Sequence, residues 1–384
     1  MPTVLFSAGD VSGDAHAANL IRALRRRDPN LSCVGLGGNA MQAAGMELLQ
    51  DLTAAAAIGP FDAAKHLSQL QQARRRFAEC LDKRKPDLVV LVDFGDFNLP
   101  FIAPLASARG VRVAYFISPQ IWAWGRWRLK YVRKHVSRML VLFPFEKAFY
   151  EEAGVPVTWV GHPLIEQAKP EKTADAARKE WQINPVRMTV GLLPGSRPAE
   201  IRRLLPLLRA VAERIAQSMP GVQFLVPVAP GLTPEALAPG LASERLTVCF
   251  SQGNIQDALQ LMDAAVVCSG TATLETALAG VPLAVVYRTS WPTFLAARIV
   301  MRTRHIALAN IVAGEPLVPE FVQRKAQPKL IAETIVGWLR DEPLRLAKRT
   351  ELQAIREKCG PPGAIERAAE AILGELKAAP LSAG

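Results

Sequence analysis

Residues 188–196 read MTVGLLPGS, a short apolar run that breaks into a glycine turn. Runs of this kind, followed by helical patterning, are strands of a parallel α/β sheet. This one decides the fold because the same alternation has already run to completion upstream. Between residues 165 and 186 the chain is polar and carries Pro170 and Pro185, a connector with an entry helix. Before it lie six apolar runs, TVLFSA, LSCVGLGG, PDLVVLVDF, VRVAYFIS, RMLVLFPF and VTWVGHP, separated by helical stretches such as 15–27 and 63–85. After MTVGLLPGS come VQFLVPVA, LTVCFSQG, AAVVCSGT and VPLAVVYRT, again alternating with helical stretches. Two doubly wound α/β units in succession are therefore expected. From Lys329 the pattern is helical, interrupted at Pro361-Pro362, and the last residues, KAAPLSAG, read as frayed.

The chain's 384 residues allow two or three domains at roughly 150 residues each. Apolar residues at 50% with charged residues at 21% exclude disordered and fibrous classes. A net charge of +11 favours phosphate-bearing partners. Five cysteines without a CxxC pair argue against a disulfide framework and for a reducing compartment. TVLFSA lacks the basic leader and cleavage pattern of a signal peptide, and no window approaches 18 uncharged apolar residues, so any membrane contact is expected to be peripheral.

In parallel sheets ligands collect beyond the carboxyl ends of the strands, which directs attention to four loops. Gly9, Asp10, Ser12, Gly13 and Asp14 follow the first strand; glycines there admit a phosphate or a sugar, and the alternative is a tight turn with Ser12 or Asp14 as helix cap. Asp93 and Asp96 follow LVVLV beside two phenylalanines, where burial raises a carboxyl toward a working base; either can instead cap the next helix. Ser196 and Arg197 follow MTVGLLPG, and a guanidinium there can hold phosphate oxygens or lie on the surface. Ser269, Gly270, Thr271, Ala272 and Thr273 form a small-residue nest at a helix start, with Glu275 one turn on, placed to accept a ribose diol. No GxGxxG, GxSxG, Walker, DxD or metal-spaced histidine pattern occurs, so no metal and no cofactor are expected. His162 reads either as a donor to a sugar or as a domain-edge turn. The basic and aromatic stretches 122–134 and 291–302 suit anionic lipid head groups, or else ordinary basic helices; nucleic acid is not expected because no RNA- or DNA-binding pattern accompanies them.

Taken in order, SAGDVSGD, GLGGNAMQAAG, PDLVVLVDFGDFN, SPQIWAW, LFPFEKAFYEEAGVPVTWVGHPL, LLPGSRPAEI, SGTATLETAL and LANIVAGEPLVPEFVQ closely resemble the lipid-A-disaccharide synthase family. The resemblance implies an inverting glycosyltransferase with the glycosyltransferase-B fold: two facing Rossmann-like domains at residues 1–168 and 186–340, with C-terminal helices at 341–384 packing back on the first domain or on a partner subunit. It implies transfer from UDP-2,3-diacylglucosamine to 2,3-diacylglucosamine 1-phosphate, forming a β-1',6 linkage and UDP, by a cytoplasmic enzyme peripheral to the inner membrane and its lipids; a homodimer is left open. Asp93 is implied as general base, Arg197 faces the diphosphate, Glu275 holds the ribose, Ser269 to Thr273 surround the phosphates and Asn310 lines the nucleotide pocket. The runner-up is another UDP-GlcNAc-using member of that fold or a UDP-GlcNAc 2-epimerase. Three positions depart from the family pattern: Asp10 for Glu, Gly125 for Arg with Arg126 as the stand-in, and Leu308-Ala309-Asn310 for LPN.

Overall fold

The computed structural model describes residues 1–53, 63–301 and 303–378. The chain forms two compact units, one comprising Met1–Pro163 and the residues from Gly360 onward, the other Leu164–Cys359.

The first unit is built on a seven-stranded parallel sheet in the order β3-β2-β1-β4-β5-β6-β7. Its strands are β1 (Thr3–Ala8), β2 (Ser32–Gly37), β3 (Glu47–Asp51), β4 (Leu88–Val92), β5 (Arg112–Phe116), β6 (Arg138–Val141) and β7 (Val157–Trp159). Six of these fall on the apolar runs; the seventh, β3, is the sequence ELLQD. As an edge strand it is only half-buried, so it needs no continuous apolar run and carries no signal of one. β4 in the middle is LVVLV, buried at every position, as a strand covered on both faces requires.

The second unit has six parallel strands in the order β10-β9-β8-β11-β12-β13. They are β8 (Thr189–Leu193), β9 (Gln223–Pro227), β10 (Val248–Ser251), β11 (Ala264–Cys268), β12 (Leu283–Tyr287) and the three-residue edge β13 (Glu320–Val322), which the apolar runs did not mark. The helix Pro198–Ser218 lays Leu204, Leu208, Val211 and Ile215 on this sheet, giving the 3- and 4-residue spacing of a buried face.

The chain passes back to the first unit at Gly360, beside the Pro361-Pro362 break rather than at residue 341. The helix Glu342–Lys358 belongs to the second unit, where Arg345 donates to the carbonyls of Trp338 and Leu339. Only the helix Ala364–Lys377 belongs to the first unit. Its Glu375, 4% exposed, accepts from Arg112 and Ser137 through Oε2 and from Arg138 through Oε1, while Glu366 pairs with Arg26 and Arg27. The frayed tail expected beyond Ala378 lies outside the described residues.

Candidate active site

In both sheets the strand order reverses once, between β1 and β4 and between β8 and β11. The crevice at such a switch point is where ligands bind in open α/β sheets. The four loops singled out from the sequence are the loops that leave these four strands.

In the first unit Ala8 and Val92 are register partners, so the loops after β1 and β4 start side by side. Gly9 is glycine because Phe94 leans on it: a Cβ there would sit 2.0 Å from the ring. Asp10 caps the helix Val11–Arg27, accepting the Gly13 N–H at 2.6 Å, a role for which its short side chain suits it. The cap is therefore neither Ser12, which is exposed on the first turn, nor Asp14. Asp14 departs from the expected ligand role. It is buried, and its carboxylate accepts the N–H groups of Gly38 (2.8 Å), Ala40 (2.9 Å) and Met41 (3.1 Å), which fixes the start of the helix Asn39–Ala43.

Asp93 and Phe94 follow β4 with φ of 44° and 52°, left-handed values that cost a non-glycine residue energy and persist only where surroundings enforce them. Here the surroundings do. The Asp93 N–H donates to Phe116 O at 3.1 Å, Tyr115 donates its hydroxyl to Asp93 O at 2.5 Å, and Asn98 donates to the same oxygen at 2.9 Å. Asn98, fully buried, is itself oriented by the Ser7 hydroxyl at 2.7 Å. Burial, followed by the charge of Asp10, pushes the Asp93 carboxyl up to about 7. Asp96 is no base: it is exposed and ion-paired with Arg128, whose guanidinium stacks on Trp124 at 4.4 Å and Trp127 at 5.2 Å. The arginine that reaches the Asp93 loop is thus Arg128; Arg126, the expected stand-in, lies over Phe149.

Three buried groups close to this loop were missed or discounted from the sequence. Glu146, pushed up to about 7 by burial, accepts from the N–H groups of Leu142 and Phe143 and from Trp122 Nε1. The signal was present in FPFE, Pro at the first helical position and Glu at the third. His16 and His162 are both held below their ordinary range by burial, His162 at about 3. His16 Nδ1 is buried without a hydrogen-bond partner among the described residues, and the Asp10 charge partly opposes the burial.

In the second unit Gly195 turns the β8 loop with φ 96°, close enough to β11 that a Cβ would lie 3.3 Å from Cys268 Sγ. Ser196 and Arg197 are exposed; Arg197 stands at the N-cap of the helix Pro198–Ser218 and reaches Glu200 Oε1 at 3.0 Å. Across the switch point the helix Thr271–Leu278 begins at Gly270 with no side chain capping it. The expected hydroxyl nest is partly spent: Ser269 donates to Ile306 O at 2.9 Å and Thr273 to Gly270 O at 2.8 Å. What remains at the helix start is main-chain N–H from Gly270, Thr271 and Ala272, with the exposed Thr271 hydroxyl. Asn310 is likewise turned inward, contrary to its expected place in a pocket lining. Fully buried, it donates to Val318 O and Glu320 Oε1 and accepts from Val318 N, each at 2.8 Å. Glu275 is free. Its carboxyl, raised by burial and without a partner among the described residues, borders a cavity of about 540 Å³.

Residues 4–370 match the family described as lipid-A-disaccharide synthetase. The chain belongs to that family. It is 41% identical over 371 residues to the lipid-A-disaccharide synthase of Geobacter metallireducens, with 96% of each chain covered. It is 42% identical over 359 residues to that of Nitrosococcus oceani, covering 94% of this chain and 92% of the relative. Among solved structures, the calicheamicin glycosyltransferase CalG4 superposes with a TM-score of 0.63 at 18% identity, over 98% of this chain and all of that one. The UDP-GlcNAc 2-epimerase from Neisseria meningitidis does so with 0.66 at 14% identity, over 97% of this chain and all of that one. These likenesses place the fold in the glycosyltransferase-B class.

As a lipid-A-disaccharide synthetase family member the chain is a glycosyltransferase. Among the described residues no helix is long and apolar enough to cross a membrane, and no cluster of three or more His, Cys, Asp or Glu is arranged to hold a metal ion. Of the tryptophans in the 122–134 stretch, Trp122 and Trp124 are tied to Glu146 and Arg128 and only Trp127 is largely exposed. In the second stretch Trp291 and Leu295 are exposed, while Arg302 lies outside the described residues.

Proposed function

We propose that this chain transfers the diacylglucosaminyl group of UDP-2,3-diacylglucosamine to the 6-hydroxyl of 2,3-diacylglucosamine 1-phosphate with inversion, giving the β-1',6 disaccharide 1-phosphate and UDP. Asp93 takes the hydroxyl proton as the oxygen attacks the anomeric carbon, and the bond to the β-phosphate breaks with its electron pair leaving on UDP. Arg197 and the N–H groups at Gly270–Ala272 receive the charge that develops on the diphosphate, and Glu275 accepts the ribose hydroxyls. The observation that carries this reading is Asp93: a carboxyl poised near 7 and held in an enforced left-handed turn at a strand end is basic and ionisable under neutral conditions.

The acylated substrates bring the enzyme to the cytoplasmic face of the inner membrane. Exposed Trp127, with Lys130 Nζ 5.8 Å from its ring, supports the first basic stretch as the lipid contact. Incubation with both lipid substrates in detergent, read by mass spectrometry, yields the disaccharide 1-phosphate and one UDP per linkage. No product, or equal use of a non-acylated acceptor, overturns the assignment.

A further inference from the structure

The cavity beside Glu275 has a wall whose construction exceeds what the diphosphate needs. Its lining comes from Leu164 to Glu171 of the connector, from Asn254 to Gln256 and from Glu275. The connector is stapled in place by the helix Ile255–Leu259 and its flanks. Asn254 Nδ2 donates to Lys169 O at 3.1 Å, Gln260 Nε2 to Lys172 O at 3.0 Å, and Asp257 Oδ1 accepts from the N–H groups of Glu171 and Lys172 at 2.7 and 2.8 Å. Every polar side chain of this stretch is spent on the wall except Gln256. That residue is 4% exposed, lines the cavity, and its side-chain amide has no hydrogen-bond partner among the described residues. A primary amide carries two N–H donors and an oxygen acceptor, and here all three are left for whatever fills the cavity.

Building on the reading that Glu275 holds the ribose, we propose that Gln256 recognises the base of the nucleotide. A nucleoside diphosphate runs in the order phosphate, ribose, base. With the phosphates at Gly270–Ala272 and the ribose one turn further along the same helix, the base projects away from the phosphates. The cavity lies on that side: Glu275 borders it, whereas no residue of 194–197 or 269–273 does. Its volume is in the range of small-molecule sites. The pairing edge of uracil presents an N3–H donor between two carbonyl acceptors, and a primary amide answers it with one N–H to a carbonyl and its own oxygen to N3–H.

Calorimetry on the full chain with UDP, N3-methyl-UDP and inorganic pyrophosphate tests this. Gln256→Met preserves length and packing, and its thermal melt is checked against wild type. Wild type should bind N3-methyl-UDP about 5- to 50-fold more weakly than UDP. Gln256→Met should bind both equally and weakly, with pyrophosphate binding unchanged. A Gln256→Met protein that binds UDP like wild type, or that keeps the full N3-methyl penalty, overturns the assignment of Gln256 alone. Wild type that fails to bind UDP overturns the nucleotide reading of the unit together with it.

Discussion

Asn98 donates its side-chain amide to the carbonyl oxygen of Asp93 at 2.9 Å, and through that bond a buried asparagine holds the proposed base in a left-handed turn. Asn98 touches no reacting atom. Its removal should release the turn that Tyr115 alone would then hold from the same side. Asn98→Ala is expected to lower kcat by about 10- to 100-fold, as a misplacement near 1 Å does, and to destabilise the fold by about 1–3 kcal/mol by orphaning the Ser7 hydroxyl and carbonyl and taking one of two donors from the Asp93 carbonyl. Steady-state kinetics beside a urea melt separate the two effects; a full kcat in folded protein would show that the strain is idle.

Asp93 itself makes a pH prediction. A general base works ionised, and with its carboxyl near 7 the kcat/KM profile should climb with pH through about 7 and level above it. Asp93→Asn should lose that limb and about 10²- to 10⁴-fold in kcat while binding UDP as before. The linkage runs in the opposite sense. A carboxyl raised in the folded state stabilises the fold below its unfolded value near 3.8 and loses that contribution as pH rises through about 7, so Asp93→Asn should melt above wild type at pH 8. A melt equal to wild type at that pH would mean that the native carboxyl titrates normally.

The loop positions legible in the chain were those fixed by topology. Asp93, Arg197 and Glu275, the residues to which we assign roles, stood out because each lies past an apolar run, and such runs in a parallel sheet end at the edge where ligands collect. Strands β3 and β13 were illegible because an edge strand needs neither length nor a continuous apolar run. Side-chain allegiance was the other thing hidden. Asp14 and Asn310 stand in the first turns of the helices that follow the expected loops, yet main-chain groups 24 and 8 residues away claim them. Local pattern carries no information about such partners. The same holds for Arg128, which displaces Arg126 because two positions on one tight helical turn point to different sides, and for Gly9, whose missing Cβ makes room for Phe94.

Glu275 and Asn310 should therefore respond differently. Glu275→Ala is expected to weaken UDP binding by about tenfold with little change in thermal stability, since its carboxylate bonds nothing among the described residues and its ionised form is already disfavoured by burial. Asn310→Ala, which orphans the Val318 N–H and carbonyl and takes one donor from Glu320, should cost about 2–3 kcal/mol in stability and leave the UDP affinity of folded protein within about twofold. Calorimetry beside a melt for each variant decides the point; the reverse pattern would return Asn310 to the pocket.

Glu375 tests the last helix. Burial raises its carboxyl, but hydrogen bonds from Arg138 and Arg112 and the Arg112 charge outweigh it, and the net shift is downward. A depressed carboxyl contributes stability above its unfolded value and loses it as pH falls through the folded one, so the helix Ala364–Lys377 should loosen from the sheet on acidification. Glu375→Ala leaves Arg112 and Arg138 facing each other without their anion. The cost for a fully buried network is about 3–5 kcal/mol; because Arg138 is about one-third exposed, about 2–4 kcal/mol is expected here. Both arginines stand where β5 and β6 begin, at the opposite end of the strands from Asp93, so the loss should appear in urea melts and in amide exchange of this helix before it appears in kcat. If kcat falls first while the helix stays protected, the two ends of the sheet are coupled in a way that these contacts do not explain.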